Sequence, residues 1–148
     1  TLKLQLMLWE QGVLVRKRTD NVEAYDCYLR GLASFFRFTK EAHIQAQQML
    51  EQAIKLDPQY GEAYASLGGM YQMAGSFQWS PDPHRDLEQA LALVQQALAL
   101  DDSLPSAHNI LSNVYLLKLY RFGDLKRHFL CFVRNLRRAE PRNGNRCF

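Results

Sequence analysis

Histidine and cysteine are the side chains that most often bind metals or act as nucleophiles, and this chain carries few of each. Its four histidines are scattered along the sequence: His43, His84, His108 and His128. Its three cysteines form no CxxC motif, and none lies at metal-ligand spacing from a histidine: Cys27, Cys131 and Cys147. The odd cysteine count disfavours a secreted disulfide scaffold, so we expect a cytoplasmic protein. Because no metal-ligand spacing is found, we also expect neither a metal nor a cofactor.

Two acidic pairs have the residue types for general acid and base catalysis, namely Asp101-Asp102 and Asp82 with Asp86. Both pairs lie beside predicted helix ends, where acidic side chains cap the helix or interact with its dipole. His108 occupies a position at which a large packing residue is expected, so we interpret it as a core or rim residue. No set of residues predicts catalysis, and we expect a protein that is not an enzyme.

The stretch from Gln47 to Tyr71 indicates how the chain is built. It contains the end of one predicted helix, a turn at Asp57-Pro58 and the start of a second helix. Small residues at helical spacing, such as Ala46 and Ala53, allow a neighbouring helix to come close. Gly68 lies within the second helix, where it removes a Cβ at a helix crossing. These features are typical of the tetratricopeptide repeat, a 34-residue helix–turn–helix unit.

Further copies of this pattern occur on both sides. The upstream copy opens around Gly31, and the downstream copies include Ala90 with Ala97 and an opening at His108. We therefore predict an all-α fold, an α-solenoid of stacked antiparallel helix pairs. The residues predicted to pack the repeats are Gly31, Ala46, Ala53, Tyr64, Leu67, Gly68, Tyr71, Ala90, Ala97, Leu111 and Tyr115.

The predicted organisation has three parts: a capping helix or linker at 1–18, repeats at 19–120, and a divergent basic helix and tail at 121–148. Within the second part we predict repeats at about 22–58, 59–102 and 103–120 onward, with an insertion at 76–85. The first repeat helix is expected from Val22 to about Phe38. The expected helix N-caps are Asn21, Thr39, Asp82 and Ser103. Trp79 in the insertion has two readings, as a ligand-stacking side chain or as a residue that pins its own loop.

Two stretches resemble a more specific group of proteins. TDNVEAYDCYLRGL and WSPDPHRDLEQALALVQQALALDDSLPSAH resemble the tetratricopeptide region that follows the catalytic domain of bacterial class III adenylate and guanylate cyclases. The resemblance covers about residues 1 to 120. It implies a sensory or regulatory interaction module that was tethered to an effector domain, and it carries over no catalytic residue.

A stacked repeat presents a concave groove lined by the first helix of each pair, and such grooves take peptides. We therefore expect a peptide or protein partner. Asn109 and Asn113, one turn apart, can bridge a peptide backbone through their amides. The N-terminal helix could instead fill the groove by itself. The predicted groove residues are Tyr28, Leu32, Phe35, Glu62, Ser66, Gly69, Gln72, Met73, Asn109, Asn113 and Leu116.

Charge separates the repeats from the tail. Residues 19–117 carry five basic and twelve acidic side chains, whereas residues 118–148 carry nine basic and two acidic ones. The basic tail leaves open binding to nucleic acid or an anionic surface, which we consider less favoured, and its bulky apolar stripe leaves open a homodimer. No run approaches the roughly 18 apolar residues of a membrane span.

Overall fold

The computed structural model describes residues 2–10 and 19–121, and every regular element within these ranges is an α-helix. The chain divides into two compact units, Thr1–Val114 and Tyr115–Phe148, of which the second is described only as far as residue 121. The helices are α1 Leu2–Glu10, α2 Val22–Phe35, α3 Lys40–Leu56, α4 Gly61–Phe77, α5 Pro83–Leu100 and α6 Pro105–Arg121.

Short polar side chains start three of these helices, as predicted. The Asn21 Oδ1 accepts hydrogen bonds from the backbone N–H groups of Glu23 and Ala24, and the Thr39 hydroxyl accepts one from Ala42. Asp82 caps α5 in the same way, with a proline in the first turn. These bonds satisfy backbone donors that have no partner within the helix.

The prediction that Ser103 caps the last helix is wrong. The Ser103 hydroxyl and backbone N–H both donate to the Asp101 carboxylate, at 2.6 Å and 2.9 Å, so the serine is held in the preceding turn. The helix α6 begins two residues later, at Pro105. A capping serine would accept from a backbone N–H of the first turn, but Leu104, and not Ser103, is the residue that precedes the helix, and the serine belongs to the Asp101 turn instead.

Two helix boundaries also differ from the predictions. The helix α2 ends at Phe35, and the chain turns through Phe38, whose φ of 51° is left-handed. Half of the insertion predicted at 76–85 is helical, because α4 continues to Phe77 and α5 begins at Pro83. Only residues 78–82 connect the two helices, starting from Gln78 in the left-handed region.

The helices pack in consecutive pairs, α2 along α3 and α4 along α5, and α3 also contacts α4. Small residues define the crossings. A Cβ at Gly31 would lie 3.0 Å from the Leu50 Cγ, and a Cβ at Gly68 would lie 2.8 Å from the Val94 Cγ2. The facing alanines are fully buried: Ala46, Ala53, Ala90 and Ala97.

The larger residues of the predicted packing set fill the space around these crossings, with one exception. Tyr64 and Leu67 are buried, whereas Tyr71 and Leu111 are half-buried at the edges of the apolar clusters. Tyr115 is 48% exposed instead of packed. The second helix of the third repeat, which would have to cover it, was predicted within residues that the structure does not describe.

Polar contacts tie the start of α2 to the end of α3. The Thr19 hydroxyl donates to the Asp57 carboxylate, and the Asn21 side-chain amide donates to the Leu56 carbonyl at 2.9 Å. Asn21 therefore caps one helix while closing the end of another. This double role explains why the Thr-Asp-Asn stretch precedes the first helix pair, since it fixes where α2 begins relative to α3.

Three predictions fall on the undescribed part of the chain. The divergent terminal helix, the homodimer that it would form and the anionic surface that the basic tail would bind all concern residues 121–148. Of these only Arg121, the last residue of α6, belongs to the described ranges. They stay predictions from the sequence.

The crossing at Gly68 can be tested with paired substitutions in one helix. Gly68→Ala should destabilise the fold, because its Cβ would meet a β-branched side chain at 2.8 Å and the Ala90 carbonyl at 3.2 Å. Gly69→Ala gains the same helix propensity and meets only the flexible end of Ile110. We expect Gly68→Ala to be less stable than Gly69→Ala by about 1–3 kcal/mol in urea unfolding. Equal unfolding midpoints would show that the crossing is not tight.

Candidate functional site

Side chains link α2, α4 and α6 along one face. The Ser66 hydroxyl on α4 donates to the Tyr28 hydroxyl on α2 at 3.5 Å. One turn earlier on α4, the Ser106 hydroxyl on α6 donates to the Glu62 carboxylate at 3.1 Å. A Cβ at Gly69 would lie 3.2 Å from the Ile110 side chain, so α4 and α6 are close here as well. The structure thus brings together predicted groove residues that are far apart in sequence. We call this the α2–α4–α6 face, formed by Tyr28, Leu32, Phe35, Glu62, Ser66, Gly69, Gln72, Met73, Ser106, Asn109, Ile110 and Asn113.

The residues of the α2–α4–α6 face differ in how much of each side chain is exposed to solvent. Tyr28 is only 6% exposed, and its ring packs against Tyr60 with centroids 5.1 Å apart. Tyr28 is therefore mainly a buried residue that supports the face from beneath. Most other members are half-buried: Leu32, Phe35, Glu62, Ser66, Gly69, Gln72 and Met73. Asn109 and Asn113 are exposed, so their amides are the most accessible polar groups of the face.

The amide side chains keep hydrogen-bonding capacity after their internal contacts are made. The Asn113 amide donates to the Asn109 Oδ1 at 2.9 Å, and the Gln72 amide donates to the Ser76 hydroxyl at 3.0 Å. Each carboxamide has two donors and an oxygen with two lone pairs. Asn109 therefore retains both N–H donors and Asn113 retains its oxygen. Together the pair can accept from and donate to an extended peptide backbone.

Leu116, the last predicted groove residue, belongs to the second unit of the chain and is 62% exposed. At the opposite end of the chain, α1 contacts α2 through a hydrogen bond from Gln5 to the Tyr25 hydroxyl at 2.7 Å. The recess of about 430 Å³ beside Leu4 is lined by Arg30, Ala33 and Ser34 on α2 and by Arg37 just after it. Helical spacing places Arg30, Ala33 and Ser34 on the side of α2 opposite Leu32 and Phe35. The helix α1 therefore borders this recess and, through Gln5 and Tyr25, also reaches the side of α2 that carries Tyr28 and Leu32.

A buried polar cluster lies among residues that were not predicted as a site from the sequence. His43 on α3 is 5% exposed, and neither of its ring nitrogens has a hydrogen-bond partner. The ring of Trp79 meets it edge-on with centroids 5.2 Å apart, and Trp79 stacks on Phe77 at 5.3 Å. Asp86 on α5 is 8% exposed, with its Oδ2 unpartnered. Trp79 therefore anchors the 78–82 connection to α3 through its contact with the buried His43 ring.

The signal for His43 was present in the sequence. His43 lies three residues before Ala46, on the same stripe as Leu50 and Ala53, and this stripe is buried. Its burial lowers its pKa, and the negative charge of Asp86 opposes that shift. His108, in contrast, is exposed, with its ring nitrogen 2.7 Å from the Asp102 carbonyl, and is therefore a rim residue.

The described residues were also compared with what a metal site, a reactive thiol and a membrane span require. Across residues 2–10 and 19–121, no three His, Cys, Asp or Glu side chains are grouped as a metal site. Cys27 is half-buried, and burial together with the nearby Asp26 charge raises the pKa of its thiol. A raised pKa disfavours the reactive thiolate at neutral pH. None of the described helices has the length and apolar character that crossing a membrane requires.

One comparison with known proteins gives a match. The chain is similar to a protein of Rhizobium meliloti (strain 1021) named "Putative adenylate cyclase 3", with 32% identity over 111 residues. The similarity covers 75% of this chain and 19% of the relative, so the chain spans about a fifth of that protein's length. It confirms the similarity to a bacterial cyclase protein noted in the sequence. No protein-family model matches the chain. No solved structure matches it either.

The buried histidine predicts acid sensitivity. Because the pKa of folded His43 is lowered, the unfolded chain binds the proton more readily, and stability is lost as the pH falls below the ordinary histidine value of about 6.5. We expect the wild type to lose more unfolding free energy between about pH 7.5 and 5.5 than His43→Leu. His108→Gln, which replaces an exposed histidine, is measured in parallel for comparison. Parallel slopes for wild type and His43→Leu would contradict this account.

Proposed function

We propose that this chain is a tetratricopeptide module that binds a peptide or protein segment on the α2–α4–α6 face and carries out no catalysis itself. The observation that carries the proposal is the set of bridging contacts from Tyr28 to Ser66 and from Glu62 to Ser106. They join the first helices of successive pairs into one surface. A continuous surface of this kind can contact several residues of an extended segment at once.

The repeat assignment draws its support from the helix crossings. Gly31 and Gly68 lie in the first helices of two successive helix pairs. Each glycine allows a branched apolar side chain of the second helix to come close. The facing alanines Ala46 and Ala90 occupy corresponding places in the two pairs and are fully buried. Repeated use of the same small residues at the same places supports a stacked solenoid.

The similarity to the cyclase-named protein supports a role in signalling. In this proposal the module is the sensory or regulatory part of a longer cytoplasmic protein, and partner binding on the α2–α4–α6 face reports to an effector domain. The partial coverage of the relative fits a module that recurs inside a larger chain. The absence of any residue set predicted to do catalysis supports binding as the activity of this segment.

The binding face can be tested by selecting random peptides displayed on phage against the immobilised full chain. A selected peptide, synthesised and titrated calorimetrically, should bind Asn109→Ala/Asn113→Ala more weakly than wild type. Each lost hydrogen bond is worth about 0.5–1.5 kcal/mol, so we expect a loss in affinity of roughly five- to a hundredfold.

The matched control is Gln48→Ala/Gln52→Ala on α3, which also removes two exposed amides one turn apart. It should bind like the wild type. All three proteins should unfold at similar temperatures. If the α3 variant lost as much affinity as the α6 variant, the binding site would lie elsewhere, and if no peptide were enriched the proposal would fail.

A further inference from the structure

Phe38, in the turn between α2 and α3, has an unfavourable backbone conformation and an exposed ring. Its φ of 51° is left-handed, a region that a bulky side chain rarely adopts because its Cβ crowds the backbone. The side chain is also 61% exposed, so most of its apolar surface stays in water. Glycine or asparagine would take the same conformation with less strain. Strained backbone of this kind is typical of residues that have a functional contact.

The other left-handed turn of the described chain shows that the conformation does not require an aromatic residue. Gln78 begins the 78–82 connection with a φ of 56°, and its side chain is polar and exposed. Both residues directly follow or end the turn of a first helix, so the backbone requirement at the two places is similar. The ring of Phe38 is therefore not explained by the turn in which it lies.

The ring of Phe38 continues the α2–α4–α6 face. Its centroid lies 5.6 Å from that of Phe35, which belongs to this face. Phe36 meets Phe35 edge-on at 5.2 Å, and both rings pack against the buried core. Leu32 is half-buried one turn before Phe35. Leu32, Phe35 and Phe38 together form an apolar strip, which the core supports from behind and which is open to solvent at Phe38.

The face thus has different chemistry at its two outer helices. On α2 it presents the apolar strip, and on α6 it presents the exposed carboxamides of Asn109 and Asn113. A peptide that crosses from α2 to α6 can bury a large apolar side chain at one end while its backbone meets the amides at the other. A small or polar side chain at the strip would remove little of the Phe38 ring from water.

Resting on the proposed function, we propose that the partner segment carries a large aliphatic or aromatic side chain that packs on the apolar strip and covers Phe38. In this arrangement Phe38 determines which peptides bind, because the strip selects for apolar size. The two asparagines contribute affinity for the backbone of any peptide.

The test uses the peptides selected from the random library on the full chain. We expect them to share a large apolar residue at one position. Phe38→Asn should lower the affinity of such a peptide by about tenfold or more, because apolar surface is no longer buried. Replacing the shared residue of the peptide by alanine should have a similar effect. The two changes together should cost clearly less than their sum, since both remove the same contact.

Stability distinguishes a binding role of Phe38 from a structural one. Asparagine adopts the left-handed conformation more readily than phenylalanine, so Phe38→Asn should unfold at or above the wild-type temperature. A lower unfolding temperature would show that the ring stabilises the fold, and the reason for assigning it to a partner would be removed.

Ile44→Asn is the matched control, since it makes the same change at an apolar residue of α3 that is 47% exposed. It should bind the selected peptides like the wild type, and an equal loss in this variant would overturn the assigned contact. Selected peptides that share no large apolar residue, or that bind Phe38→Asn unchanged, would overturn the inference while leaving the proposed function standing. If no peptide were enriched, both would fail.

Two other occupants of the strip are measured in the same experiment. A synthetic peptide of residues 122–148 is titrated against the full chain, and light scattering compares the full chain with Phe38→Asn. Tighter binding of that peptide than of any selected one, lost in Phe38→Asn, would assign the strip to the chain's own end. Dimers that Phe38→Asn converts to monomers would assign it to a second copy. Either result would overturn a partner of another kind.

Discussion

The close approach of helices at Gly31 and Gly68 is the constraint on which the rest of the structure depends. At both places the space for one methyl group is already filled by a branched side chain of the neighbouring helix, Leu50 or Val94. Packing this tight fixes the separation within each helix pair, and it leaves little freedom for the helices to slide. The first helices are consequently held near enough for hydroxyl and carboxylate groups to bridge them. The α2–α4–α6 face therefore depends on the close helix crossings at Gly31 and Gly68.

Much of this arrangement could be predicted from the sequence because it depends on local spacing. Small residues separated by three, four and seven positions predicted the helical stripes, and short polar residues before them predicted three of the four caps. The predicted N-cap at Ser103 is wrong because the turn at Asp101 holds the serine and the helix begins only at Pro105, a shift of one residue that spacing does not decide. Residues 76 and 77 extend α4 into the predicted insertion, which the spacing of the repeats did not indicate.

The candidate site was less predictable, since exposure depends on contacts between distant segments. Tyr28 belongs to the predicted groove by its helical position, yet its packing on Tyr60 makes it a buried support. The helical position of His43 indicates its burial, but only the folded chain brings Trp79 over it. Buried groups without hydrogen bonds are costly, so the cluster of His43 and Asp86 lowers stability in a part of the domain that is distinct from the proposed binding face.

We have proposed a module that recognises a segment of another protein within a signalling chain. Its central claim is that the aligned first helices form the recognition surface. The most direct measurement is a backbone amide NMR spectrum of the labelled full chain, recorded with and without a saturating selected peptide. The account predicts that the largest shifts fall between Ser66 and Met73 on α4 and between Asn109 and Asn113 on α6. Shifts concentrated on α3 and α5, with those two segments unchanged, would contradict it.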